Sequence, residues 1–310
     1  METGNCRQAY GEALRDLGAV NPNIVVLEAD LGKSTMSFLF EQDHPDRYFQ
    51  VGIAEQNMTS MAAGLALSGK TAFINSFAVF ATGRAYDQIR SSICIPRLNV
   101  KICGSSAGLS DFGDGKTHQS VDDITLMRVL PGMTVLCPVD SVETVQMVKA
   151  MSESGGPCYI RLNRNDLPIL TDAKEPYCIG NMRQIRDGGD VVVFACGVMV
   201  SQALKAAQHL EENGISVRVV NVSSIKPLDI VALKGYCDGV KGVVTAEEQS
   251  VCGGLGSAVC EALSAEKLPI EMLGIEDRFG ISAENYEVIL EKYRLTPEGV
   301  TDKIRKVLGR

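Results

Sequence analysis

Short apolar runs alternate with stretches whose apolar residues recur every three or four positions, along almost the whole chain of 310 residues. Runs of the first kind read as strands buried on both faces, and the second as helices packed over a sheet. Strands are expected near Ile24–Glu28, Arg47–Val51, Thr71–Asn75, Asn99–Cys103, Thr134–Cys137 and Cys158–Arg161. Helices are expected over Arg7–Leu17, Gln56–Leu67, Val79–Ile93, Ser120–Val129 and Val142–Met151. The pattern predicts an α/β protein with mostly parallel sheets flanked by helices. The rhythm breaks between Asn165 and Gly189, where Pro168, Pro176, Gly180 and Gly188-Gly189 fall. We therefore expect a first domain over 1–170, a connection over 171–189 and a second domain over 190–310. The second begins with the apolar strand Asp190–Gly197 and a helix over Val200–Glu212 closed by Gly214. Strands at Ser216–Val220 and Gly242–Ala246 follow.

Composition narrows the class. A hydrophobic content of 45% supports two cores of ordinary size. A net charge of -8 and a pI near 5.1 argue against a nucleic-acid partner. No apolar run approaches the roughly 20 residues of a membrane span, and METGNCRQAY lacks a signal-peptide pattern, so a cytoplasmic protein is expected. The 10 cysteines are scattered without a C-x-x-C pair, which suits buried reduced thiols better than disulfides or a metal site.

Several segments carry candidate chemistry. Gly52-Ile53-Ala54-Glu55-Gln56-Asn57-Met58 puts a carboxylate at the start of a helix whose Met58, Met61, Ala62, Leu65 and Ala66 form an apolar face. Glu55 suits the helix dipole there, or a site. Ser76-Phe77-Ala78-Val79-Phe80 follows a strand end, where α/β proteins bind ligands; its two phenylalanines suit either a core face or a wall for a flat heterocycle. Gly113-Asp114-Gly115-Lys116-Thr117-His118-Gln119 is a glycine-punctuated loop with an acid and an imidazole able to grip hydroxyls or move protons, or else a polar turn. Arg7, Ser34, Arg161 and Arg164 stand near element ends, where arginine suits a phosphorylated ligand and equally an ordinary surface. Glu247-Glu248 before Gly253-Gly254-Leu255-Gly256-Ser257 reads as a structural or interface turn, because adjacent glutamates disfavour a bound anion.

Taken in order, these segments, with Pro138–Thr144, Arg161–Leu167, Ser223–Asp229 and Arg278–Ser282, resemble transketolase over essentially the whole chain. The resemblance covers the pyrimidine-binding and C-terminal domains of that family and not its diphosphate-binding domain. It implies the C-terminal subunit of a split enzyme using thiamine diphosphate. An N-terminal partner subunit would hold the diphosphate and Mg²⁺ or Ca²⁺, in an assembly of two chains of each kind. By the same resemblance Glu55 and His118 are catalytic, Glu55 meeting N1′ of the aminopyrimidine. Asp30, Leu31, Phe77 and Phe80 join Glu55 around that ring. Arg7, Ser34, Asp114, His118 and Arg164 contact the sugar phosphate. No metal ligand is expected in this chain, since the Asn-Asn pair that completes a Gly-Asp-Gly metal site is missing from Ser141–Met151.

The chain departs from the family pattern in three places. Gly83 or Arg84 stands where a third aromatic is common, Cys103–Gly108 contains no histidine, and the loop is longer at Asp111-Phe112. Rival readings are a 2-oxoacid dehydrogenase β subunit, a split deoxyxylulose-phosphate synthase sharing Arg84-Ala85-Tyr86-Asp87-Gln88, and a scaffold that has lost the reaction. A transketolase for sulfonated or unphosphorylated sugars is a further one, given the altered clamp.

Overall fold

The computed structural model describes residues 2–310. Two α/β sheets organise it. The first has seven strands in the order Ser224–Lys226, Thr134–Leu136, Cys158–Arg161, Val100–Ser105, Thr71–Phe77, Ile24–Glu28 and Tyr48–Gln50. All its pairings are parallel except that of Ser224–Lys226 with Thr134–Leu136. The second has five strands, ordered Ile270–Ile275, Gly242–Ser250, Val191–Ala195, Val217–Asn221 and Arg183–Arg186, with only the last antiparallel. Every residue of Ile24–Glu28, Thr71–Phe77 and Val191–Ala195 is buried, as expected of parallel strands covered by helices on both faces.

Local chemistry sets several helix starts. The side chain of Asn5 accepts from the backbone N–H groups of Arg7 and Gln8 to cap Cys6–Val20, and Asp140 caps Ser141–Glu153 through Glu143 N–H. One continuous apolar cluster runs from Tyr10, Leu14 and Met147 to Met199, Val200 and Leu210, so the core is shared across the domain junction.

Polar ties reinforce that junction. The buried carboxylate of Glu143 accepts from Asn221 Nδ2 at 3.1 Å and from Ser223 Oγ at 2.9 Å. Buried Arg161 pairs with Asp123 at 2.8 Å and donates to the backbone oxygen of Glu248 at 2.9 Å. Arg161 is therefore committed to buried partners that tie the two sheets together. Glu248 accepts from Leu109 N–H, and Glu247 accepts from the N–H groups of Leu255 and Gly256. Glu247 thus occupies the helix start at which an anion would otherwise bind.

Three features differ from the sequence expectation. The helix expected over Val79–Ile93 is built from π-helical turns at Val79–Arg84 and Ile89–Cys94 around a short α-turn at Tyr86–Gln88. The helix expected over Ser120–Val129 begins at Asp123, because Ser120 bridges back to Gly108 instead. Segment 171–189 contributes the strand Arg183–Arg186 to the second sheet, while Ser224–Lys226 from beyond it joins the first. Among the described residues, no helix is long and apolar enough to cross a membrane.

Candidate active site

A cavity of about 490 Å³ is lined by Ala29, Asp30, Leu31, Ile53, Glu55, Phe80, Arg84, Thr117 and His118. Several lining residues follow the carboxyl ends of Ile24–Glu28, Tyr48–Gln50 and Thr71–Phe77, where open parallel sheets present their ligand crevice. Burial holds its floor in place. Glu28, fully buried, accepts from Leu31 N–H at 2.6 Å and from Gln50 Nε2 at 2.7 Å. Gln50 Oε1 in turn accepts from Asp30 N–H and Gly52 N–H, both at 2.9 Å. This brace holds Asp30 in a left-handed conformation at φ 63° and sets the turn at Gly52, whose φ of 71° favours glycine. The chain then enters the helix Glu55–Leu67 with the Glu55 carboxylate turned inward, 1% exposed. Burial raises the pKa of Glu28, partly offset by Gln50.

The opposite wall is aromatic. Phe77 and Phe80 stack with centroids 6.1 Å apart, Phe77 buried behind Phe80. His118 meets Phe80 edge-on at 5.3 Å and accepts or donates a hydrogen bond with Thr117 Oγ1 at 3.0 Å. Arg84 spans the cavity. Its guanidinium lies 4.4 Å from the Phe80 centroid and its Nη1 donates to both oxygens of Glu55, at 2.7 and 2.8 Å. A planar group bearing N–H donors therefore already rests on the aromatic wall while bonded to the carboxylate, the arrangement a flat nitrogen heterocycle requires. The residues present fit an aminopyrimidine.

The structure thus brings Asp30, Leu31, Glu55, Phe80 and His118 to one cavity, with Phe77 in support. Arg7, Ser34 and Arg164 form a second cluster: Arg7 donates to the backbone oxygens of Ser34 at 2.7 Å and Arg164 at 3.1 Å. Arg164 pairs with Asp111 at 2.6 Å. Arg7 Nε is buried without a partner, and burial followed by repulsion from Arg164 lowers the Arg7 pKa. Asp114 is exposed and lies outside both groups. Sequence reasoning missed Glu28 and Gln50, and it noted Arg84 for not being aromatic and as part of Arg84–Gln88, without a role in the site. The available signal for Arg84 was a cation one turn beyond Phe80 in a chain with a buried glutamate to neutralise. Among the described residues, no group of three or more His, Cys, Asp or Glu side chains is placed to hold a metal ion.

Comparison with known proteins identifies the family of the chain. Residues 3–169 match the transketolase pyrimidine-binding domain and residues 180–300 the transketolase C-terminal domain. The chain is 41% identical over 302 residues to a protein of Methanocaldococcus jannaschii provisionally named a transketolase C-terminal section, covering 96% of this chain and 94% of that one. It is 38% identical over 306 residues to a 6-deoxy-6-sulfo-D-fructose transketolase subunit of a Clostridium species, covering 98% and 94%. A solved split-gene transketolase, described as an inactive β4 tetramer, superposes with a TM-score of 0.89 at 44% identity, covering 98% of each chain. The chain belongs to the transketolase family, of which it carries the pyrimidine-binding and C-terminal domains.

Proposed function

We propose that this chain is the C-terminal subunit of a thiamine diphosphate-dependent transketolase, transferring a two-carbon ketol unit from a ketose phosphate to an aldose phosphate. The observation that carries the reading is the buried Glu55 carboxylate set across one cavity from Phe80 and His118. Glu55 would bond N1′ of the aminopyrimidine, with Phe80 against the ring face and Asp30 and Leu31 at its edge. Bound thiamine diphosphate supplies a carbon nucleophile able to accept and release the ketol unit. Glu55, 1% exposed, would share a proton with the ring nitrogen there. His118, at the cavity wall, is placed to orient or protonate substrate hydroxyls.

The diphosphate and Mg²⁺ or Ca²⁺ would be held by a separate N-terminal subunit, in an assembly of two chains of each kind. Two relatives support this: one is named a subunit of a transketolase, and the solved split-gene protein is described as inactive in its β4 form.

The test is ketol transfer from xylulose 5-phosphate to ribose 5-phosphate, with thiamine diphosphate and Mg²⁺, by this chain alone and mixed with a candidate N-terminal subunit. Activity only in the mixture, lost in Glu55→Ala, is the expected result. Cofactor binding without transfer to any sugar would sink the reaction assignment, and absence of cofactor binding with any partner would sink the site assignment.

A further inference from the structure

The second cluster carries its own counter-ion. Asp111 is 3% exposed and its Oδ2 lies 2.6 Å from Arg164 Nη1. It has little freedom to leave. Its backbone oxygen accepts from Gln119 Nε2 at 3.1 Å and from Gly115 N–H at 3.2 Å, and the preceding Ser110 oxygen accepts from Asn165 Nδ2 at 3.1 Å. A second carboxylate, Asp166, acts on Arg7 through space and is itself held by Asn5 Nδ2 at 2.8 Å. Arg164 is thus directly paired with a fixed, buried acid, while Arg7 is offset only through space, by Asp111 and by the exposed Asp166. What the cluster keeps free is the buried Arg7 Nε and the donors of Arg164 that Asp111 leaves unused.

Asp111 thus cancels one of the two positive charges this chain could set against a dianion, while leaving enough donors for a single negative charge. A phosphate monoester carries about −1.5 to −2 at pH 7, whereas a sulfonate of the same shape carries one charge at every accessible pH. Taking the proposed ketol transfer as the reaction, we propose that Asp111 is a specificity-determining residue that turns this clamp toward sugars with a sulfonate, or another monoanion, at the end remote from the ketol group. A sugar phosphate remains a substrate and binds best as its monoanion. One relative is named for a sulfo-sugar, 6-deoxy-6-sulfo-D-fructose.

The test compares kcat/KM of the assembled enzyme for 6-deoxy-6-sulfo-fructose and fructose 6-phosphate, in the native protein and in Asp111→Asn. The native enzyme should favour the sulfonate, and Asp111→Asn should shift the ratio toward phosphate by roughly tenfold. Across pH 6 to 7.5 the native ratio should rise as the phosphate loses its second proton, with the slope reduced in the variant; groups elsewhere in the protein cancel from the ratio. A second arm titrates the chain with inorganic phosphate and with methanesulfonate, following arginine side-chain NMR signals. There Asp111→Asn should tighten phosphate alone. A ratio and a phosphate affinity that both stay within threefold of native overturn the inference. If no sugar is transferred at all, the ketol-transfer reading fails while the anion titration still decides the role of Asp111. Equal melting temperatures of variant and native protein exclude a folding artefact, and Asp111→Ser serves if the asparagine variant melts early.

Discussion

One nitrogen of Arg84 donates to both carboxylate oxygens of Glu55, and the same guanidinium covers the face of Phe80. The pair is lopsided: the Glu55 side chain is 1% exposed and that of Arg84 45%. Arginine can regain water on separation and glutamate cannot. Replacing Arg84 by Met should therefore cost stability, about 1–3 kcal/mol in urea unfolding, by leaving a buried carboxylate without its donor. The same change vacates the Phe80 face, so thiamine diphosphate should bind the assembled enzyme more tightly. A variant that loses both stability and cofactor affinity would show that Arg84 supports the ring rather than competing with it.

His118 touches the aromatic wall edge-on, and its ring hydrogen-bonds only to its neighbour Thr117. Nothing structural leans on it. His118→Ala should lower kcat/KM for ketol transfer by roughly a hundredfold or more while leaving the melting temperature unchanged. A fall in melting temperature matching the loss of activity would assign the residue to packing instead.

Burial pushes the carboxyls of Glu247 and Glu248 up to about 7, from an ordinary value of 4.5. Between those values the folded chain binds protons that the unfolded chain releases. The resulting stability is complete below about 4.5 and is lost as pH rises through about 7. Each group contributes on the order of 3 kcal/mol at most. Urea unfolding at pH 5.5 and at pH 8 should show the chain weaker at the higher pH. Glu248→Gln should remove a large part of that difference; a difference as large as native in the variant would point to other groups.

All 10 cysteines are free, and only Cys178 and Cys252 are exposed. Burial pushes the thiols of Cys6 and Cys103 up to about 12, which makes them poor nucleophiles. A disulfide-exchange reagent should label two thiols quickly in the folded protein, Cys260 more slowly, and the rest only in denaturant. Fast labelling of Cys6 or Cys103 would mean that the helix Cys6–Val20 opens readily.

Strands buried on both faces were the easiest elements to read, because Ile24–Glu28 and Val191–Ala195 need continuous apolar sequence wherever they occur. Two edge strands hid for the opposite reason, although a third, Tyr48–Gln50, was read within Arg47–Val51. Arg183–Arg186 is written R-Q-I-R and Ser224–Lys226 has three residues, so neither carries a periodicity to detect. The widened turns around Phe80 also leave no simple trace, since an α-helix would show the same apolar spacing. In the cavity, Glu55, Phe80 and His118 stood out through motifs. Glu28 and Gln50 did not, because their work is to hold backbone N–H groups of a loop whose shape only the fold reveals. Arg164 was legible as a cation, while its neutralisation by Asp111, 53 residues away in sequence, was not.

Ser224–Lys226 belongs by sequence to the second half of the chain and by hydrogen bonding to the first sheet, beside Thr134–Leu136. Expressing the two halves as separate polypeptides would thus not yield two modules. The first would display Thr134–Leu136 as a bare sheet margin, inviting association with any passing strand. The second would carry an unpaired flap. The protein is stitched across its own midpoint, and an engineer wishing to exchange its C-terminal half would have to leave a strand equivalent to Ser224–Lys226 on the first sheet while moving the strands on either side of it with the second.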